Sequence, residues 1–171
     1  MGGVYTPPVG WLSRLFSRRY ALSDAIGALA EGAVEVRGRV EPLDELVSPL
    51  TGLRGVFMRY RASTPSAVRA FGELPGTGLR YAVEAAQGND FVLRDDSGAA
   101  LIRLPRGRDI SELHADLVDR HGLELEAEDS MIEAGQTVIV RGKVVQLLRD
   151  SPHRSEGYRA VLEADSVEPV G

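Results

Sequence analysis

Val34-Glu35-Val36-Arg37-Gly38-Arg39-Val40-Glu41-Pro42 is the stretch that decides how this chain folds. Val34, Val36, Gly38 and Val40 alternate with Glu35, Arg37, Arg39 and Glu41. That two-residue period puts the first set on an apolar face and the second in water. Pro42 has no N–H for a ladder and ends the strand. A later stretch, Val140-Arg141-Gly142-Lys143-Val144, has the same form within a long strand expected over residues 136–148, after the Glu133-Ala134-Gly135 turn. The glycine inside each strand permits the sharp coiling that a sheet needs to close on itself.

Working outward, Val56, Met58, Tyr60 and Ala62 alternate with Phe57, Arg59 and Arg61, and Leu79, Tyr81 and Val83 face away from Arg80 and Glu84. Phe91–Arg94 and Ala99–Leu104 flank an Asp95–Gly98 turn and read as a hairpin. Tyr158–Val167 reads as the last strand. Residues 47–55 and 63–76 read as loops, residues 149–157 as a turn-like segment, and the acidic run from Glu124 to Asp129 as solvated. One helix is expected over residues 109–121, with Asp109 as its cap, Glu112 three positions on, a buried stripe of Ile110, Leu113 and Leu117, and Gly122 as the stop. About six strands with one helix set before the late ones describe a mainly β fold, a small OB-like or related closed β-barrel. A two-sheet β-sandwich is the alternative, because alternation alone fits both.

Residues 1–31 read as a partly helical N-terminal extension to a β domain over residues 32–171. Trp11, Leu12, Leu15 and Phe16 share one helical face, with Arg14, Arg18 and Arg19 beside them. A second short helix is expected from Ser23 through Ile26 and Leu29 to Gly32, weakened by Gly27. The Trp11–Phe16 stripe either packs on the β domain or on a second copy, or lies on an anionic membrane surface.

The composition narrows the function. The chain has 171 residues, 43% of them hydrophobic and 26% charged, as in ordinary soluble globular proteins. It holds no cysteine, which removes disulfides, thiolate nucleophiles and cysteine-based zinc sites and favours a cytoplasmic setting. Of the net charge of -5, residues 1–20 contribute +3, so the body is acidic and ill-suited to general nucleic-acid binding. No run is long and apolar enough to span a bilayer, and the arginines near the start interrupt the only candidate for a signal sequence. His114, His121 and His153 form no local metal motif, and Asp95 and Asp96 are expected to serve the hairpin turn. The acidic stretch lacks the ligand spacing of an EF-hand loop. No phosphate loop and no nucleophile elbow is present. The expectation is a non-enzymatic domain with no catalytic residue, metal or cofactor.

The residues with most binding content are basic. Arg37 and Arg39 share one strand face, and Arg59 and Arg61 share another. If those two strands pair in register, four arginines gather into a patch suited to an acidic peptide, anionic lipid heads or a nucleic-acid backbone.

Ser48-Pro49-Leu50-Thr51-Gly52, followed by Val56-Phe57-Met58-Arg59-Tyr60, resembles the signature of the GIDE-type, or beside-a-membrane, domain of mitochondrial-anchored E3 ubiquitin ligases and their prokaryotic relatives. Arg37-Gly38-Arg39-Val40-Glu41-Pro42 matches that family's early strand ending. Phe91 to Gly98 resembles its later hairpin and Gly135 to Gly142 its penultimate strand, so the likeness runs over roughly residues 34–165. The family's cysteine after the loop is replaced here by Leu53-Arg54-Gly55, and the RING zinc module and flanking membrane helices have no counterpart in this sequence. What the resemblance implies is therefore recognition of an as yet unidentified protein, with the Ser48–Gly52 loop fixing a connection between strands or forming part of a binding rim. The alternative is a peripheral membrane module that uses the N-terminal helix. Single-stranded nucleic-acid binding is disfavoured, since Tyr60 and Tyr81 sit on apolar strand faces and leave Phe57 as the one candidate platform.

Overall fold

The computed structural model describes residues 21–22, 25–65, 80–148 and 157–171. The Trp11, Leu12, Arg14, Leu15, Phe16, Arg18 and Arg19 stripe and His153 lie outside the described residues. A two-residue strand, β1 (Ala21–Leu22), runs parallel to the first part of β2 (Gly32–Pro42). Between them the expected helix is replaced by a three-residue 3-10 turn at Ile26–Ala28, flanked by extended backbone at Ala25 and Leu29. The cause is tertiary: Ile26 is 1% exposed and packs into the main core, which fixes the chain there more firmly than weak helical propensity could.

After β2 comes a small hairpin, β3 (Leu46–Val47) with β4 (Arg54–Gly55), inside what read as a loop. β5 (Phe57–Pro65) and β6 (Arg80–Gly88) follow, then the expected hairpin of β7 (Phe91–Asp95) and β8 (Gly98–Arg103). Helix α1 (Ile110–His121) is capped as read: Asp109 accepts the Glu112 N–H at 3.0 Å, and Gly122 follows the last turn. β9 (Glu126–Ile132) takes in most of the acidic segment expected to be solvated, and Glu126 and Glu128 on it are exposed. The last two strands are β10 (Thr137–Leu147) and β11 (Ala160–Pro169).

Five of these strands close into a barrel in the order β2-β10-β11-β8-β7 and back to β2. All neighbours are antiparallel except β8 and β11. Counted along the chain as barrel strands one to five, that is the circuit 1-4-5-3-2, the Greek-key closure of an OB-type barrel, with α1 between the third and fourth. The closure rules out the sandwich. The alternating valines build the interior: Val36 lies opposite Val140 and Val40 opposite Leu93, all buried together with Phe91, Ile102 and Leu162. Both strand glycines sit where backbones crowd. A Cβ at Gly38 would stand 2.8 Å from the Arg94 carbonyl oxygen, and one at Gly142 would stand 2.2 Å from that of Glu163, beside a shift in the β10–β11 register.

The segments between the first and second and between the third and fourth barrel strands together form a second layer. β6-β5-β9 is a separate antiparallel sheet, and α1 lays Ile110, Leu113 and Leu117 on one face of it against Met58, Tyr60 and Ala62. Phe57, on the opposite side of β5 from Met58, is also buried because it belongs to the barrel core. The strand thus enters from one core and serves the other.

Candidate functional site

Closure of the barrel uses both edges of β2, one for β10 and the other for β7, which leaves none for β5. β5 pairs instead with β6 and β9. The four arginines expected in one patch are therefore split, with Arg37 and Arg39 on the barrel and Arg59 and Arg61 on the inserted sheet. There Arg61 bridges Glu84 at 2.8 Å and Glu128 at 3.7 Å, and the Arg59 guanidinium lies 5.8 Å from the centre of the Phe57 ring. That face is a solvated row of mixed charge.

The barrel pair acquires a different companion. Arg39 is directly opposite Arg94 on β7, and opposite Thr137 on its other side; Arg37 is opposite Ile139. Arg94 donates from Nε to Glu41 at 2.6 Å. This hydrogen bond holds the Glu41 carboxyl below its ordinary range and pushes the Arg94 guanidinium up. Farther along, Arg141 is held by Glu35 at 2.5 Å and Glu168 at 3.0 Å. Arg37 and Arg39 are exposed, and neither has an ion-pair partner among the described residues. Like charges directly opposite one another destabilise a strand pair, so the Arg39–Arg94 position is costly by itself. Arg94 escaped the sequence reading. The signal that could have found it is the outward place that alternation gives it in the Phe91–Arg94 strand, once barrel closure makes that strand the neighbour of β2.

The Ser48–Gly52 loop is built around a hydroxyl. Ser48 is 3% exposed; its Oγ accepts the N–H groups of Leu50 at 3.1 Å and Thr51 at 2.9 Å and donates to the Asp129 carboxylate. Every hydrogen-bonding position of the hydroxyl is engaged. Pro49 and Leu50 are half-buried, with Leu50 against the second core, while Thr51, Gly52 and Leu53 are exposed. Gly52 takes φ +72, the left-handed value that favours glycine. Nearby, Tyr60 shares a 2.7 Å hydrogen bond with His114 Nδ1. Burial, with a smaller contribution from the Asp129 charge, raises its phenol above the usual value. The Ser48–Asp129 and Tyr60–His114 links join distant parts of the chain, and no sequence signal announced either.

At the hairpin tip Asp95 does what the turn reading required and more. It accepts Ser97 N–H, Ser97 Oγ–H and Gly98 N–H at 2.7, 2.6 and 3.0 Å, and also the Ile26 N–H at 2.8 Å. Burial pushes its carboxyl up, but the bonds from Ser97, Ile26 and Gly98 outweigh that and leave it below the ordinary range.

Phe57, Tyr60 and Phe91 are at most 7% exposed, so none offers a stacking face; the side chain of Tyr81 lies outside the described residues. Among the described residues no group of three His, Asp or Glu is placed to hold a metal ion, and no helix is long and apolar enough to cross a membrane. Comparisons of the chain with protein-family models, with curated proteins and with solved structures gave no match.

Proposed function

We propose that the chain is a non-catalytic binding domain that recognises an acidic segment of a protein partner across the barrel strip formed by Arg37, Arg39 and Arg94. The observation that carries this reading is the Arg39–Arg94 opposition, with Arg37 beside it, in a chain of net charge -5. Two guanidinium groups without an ion-pair partner among the described residues, and a third shared with Glu41, would be relieved by carboxylates arriving from outside, which arginine holds in a two-pronged grip. Three further points support the reading. The polar groups nearest to a catalytic constellation, Ser48, Asp129, Tyr60 and His114, are spent on one another and on backbone. The buried aromatic rings argue for a partner held by charge rather than by stacking. A cysteine-free chain also suits a cytoplasmic setting. What carries the proposal is the arginine geometry, not the likeness of the Ser48–Gly52 loop to the GIDE-type domain.

Titration calorimetry with a short glutamate-rich peptide tests it, alongside anionic phosphatidylserine vesicles and single-stranded DNA as rivals. The expected result is saturable, salt-sensitive binding of the peptide that the Arg37→Ser, Arg39→Ser double variant loses. Preference for vesicles would move the reading to a peripheral membrane module, and preference for DNA to nucleic-acid recognition. No binding of any of the three would remove the arginine strip as a site.

A further inference from the structure

On the outer face of the barrel, Arg94 of β7, Arg39 of β2 and Thr137 of β10 stand in one row across three strands, with Arg37 two residues along β2 from Arg39. Their neighbours Leu93, Val40 and Val138 turn inward to the core, which fixes the row as outward-facing. Directly opposed residues of an antiparallel pair have Cβ atoms about 4.5–5.5 Å apart. Two arginine side chains rooted that close can converge on one small group. Arg94 gives its Nε to Glu41, and its terminal nitrogens have no other ion pair among the described residues. Thr137 adds a hydroxyl to the same row.

Charge and donor count together select the group. Arg37, Arg39 and Arg94 bring three positive charges and Glu41 cancels one, leaving two. One glutamate carboxylate supplies a single negative charge and two oxygens, which one guanidinium fork fills. A phosphomonoester carries a charge of about −1.5 to −2 at pH 7 and three acceptor oxygens, enough to take donors from both sides at once.

The acids on this face narrow what the phosphoryl group is attached to. Glu35, Glu41 and Glu168 also point outward around the strip, and Glu35 and Glu168 hold Arg141 between them. An anionic bilayer or a nucleic-acid backbone presents many phosphates side by side and would press some of them against these carboxylates. A single phosphorylated side chain meets the arginines alone.

We infer that the acidic segment recognised by the domain carries a phosphorylated side chain, held between Arg39 and Arg94 with Arg37 beside it. This rests on the recognition of an acidic segment proposed above and names the group at its centre.

Titration calorimetry on the full chain tests it with one glutamate-rich peptide made in three forms, with serine, phosphoserine or glutamate at the central position. Near neutral pH the phosphoserine form is expected to bind roughly tenfold or more tightly than the glutamate form, and the serine form most weakly. The second phosphate proton returns at a pKa of about 6, so that advantage is expected to shrink severalfold by about pH 5, where the glutamate form still keeps its charge. Arg94→Ser removes one of the two opposed forks and is expected to cut the preference to about twofold or less; the pH dependence is read on the wild type and needs no variant to fold. Equal binding of the phosphoserine and glutamate forms, or a preference that persists at low pH, overturns the phosphoryl assignment and leaves recognition of an acidic segment standing. Absence of binding by all three forms removes both. Phosphatidic acid vesicles present the same phosphomonoester on a membrane and are expected to bind more weakly than the phosphoserine peptide; tighter binding to them overturns the assignment to a protein.

Discussion

Arg39 and Arg94 face each other across the β2–β7 pair, two guanidinium groups in directly opposed positions on one side of the barrel. Glu41 relieves Arg94 only, through a 2.6 Å bond between groups that are both about half exposed. An exposed ion pair of that kind contributes little stability, on the order of 0–1 kcal/mol. The arrangement therefore leaves Arg39 opposite a like charge, with no ion-pair partner among the described residues.

The Arg39→Ser variant is accordingly expected to be as stable as the wild type or more stable, by about 0.2–1 kcal/mol in urea unfolding. Arg94→Ser gives up the Glu41 bond together with the repulsion, and its gain is expected to be smaller. A loss of more than about 1 kcal/mol in Arg39→Ser would mean that the side chain has a structural role in the barrel.

Acid stability should depend on Asp95. Its carboxyl and that of Glu41 are both held below their ordinary values in the folded state. A group depressed in this way contributes stability that is fully present above its unfolded value and is lost as pH falls through the folded one. For Asp95 that window opens below the ordinary value of 3.8. Asp95→Ala is expected to cost about 1–3 kcal/mol at neutral pH and to flatten the acid limb of a stability–pH profile. It should also speed hydrogen exchange at the Ile26 amide, which Asp95 holds from across the fold. An acid limb as steep as that of the wild type would contradict the assignment.

Ser48→Ala leaves the N–H groups of Leu50 and Thr51 and one oxygen of Asp129 without their partner in a partly buried site. The expected loss is about 1–3 kcal/mol, with faster amide exchange confined to the loop and the adjoining part of β9. Unchanged exchange at Leu50 and Thr51 would show that the hydroxyl does not hold the loop.

Gly142→Ala places a methyl group against the Glu163 carbonyl and is expected to destabilise by about 1–3 kcal/mol or more, read from thermal unfolding. Gly52→Ala meets no atom within 4 Å and pays only for the left-handed backbone, about 1–2 kcal/mol. Gly142→Ala is expected to be the costlier of the two, and a smaller loss there than at Gly52 would mean that β10 and β11 move apart easily at their register shift.

Local features were legible in the sequence because local forces set them. The valines of β2, the Asp95–Gly98 turn and the capped, three-residue apolar stripe of α1 each occupy the places that periodicity assigns. Pairing partners were not legible. Alternation tells which side of β5 carries Arg59 and Arg61, but nothing in it says that β2 has both edges filled by strands far along the chain. The same blindness explains Glu126 to Ile132, whose acids hide that Ala127 and Met131 pack toward α1 from an edge strand. It explains Ile26 too, where a position in the barrel core overrides a weak helix. Of the candidate site, Arg37 and Arg39 could be named from the sequence; Arg94 required the closure of the barrel.

Amide chemical-shift mapping during titration with a glutamate-rich peptide addresses the binding claim most directly. Shifts are expected to concentrate at Arg37, Arg39, Arg94 and Thr137, where β7, β2 and β10 lie side by side, and to fade as salt is raised. Shifts centred instead on Thr51 to Leu53 or on Arg59 and Arg61, or no shifts at all, would contradict it.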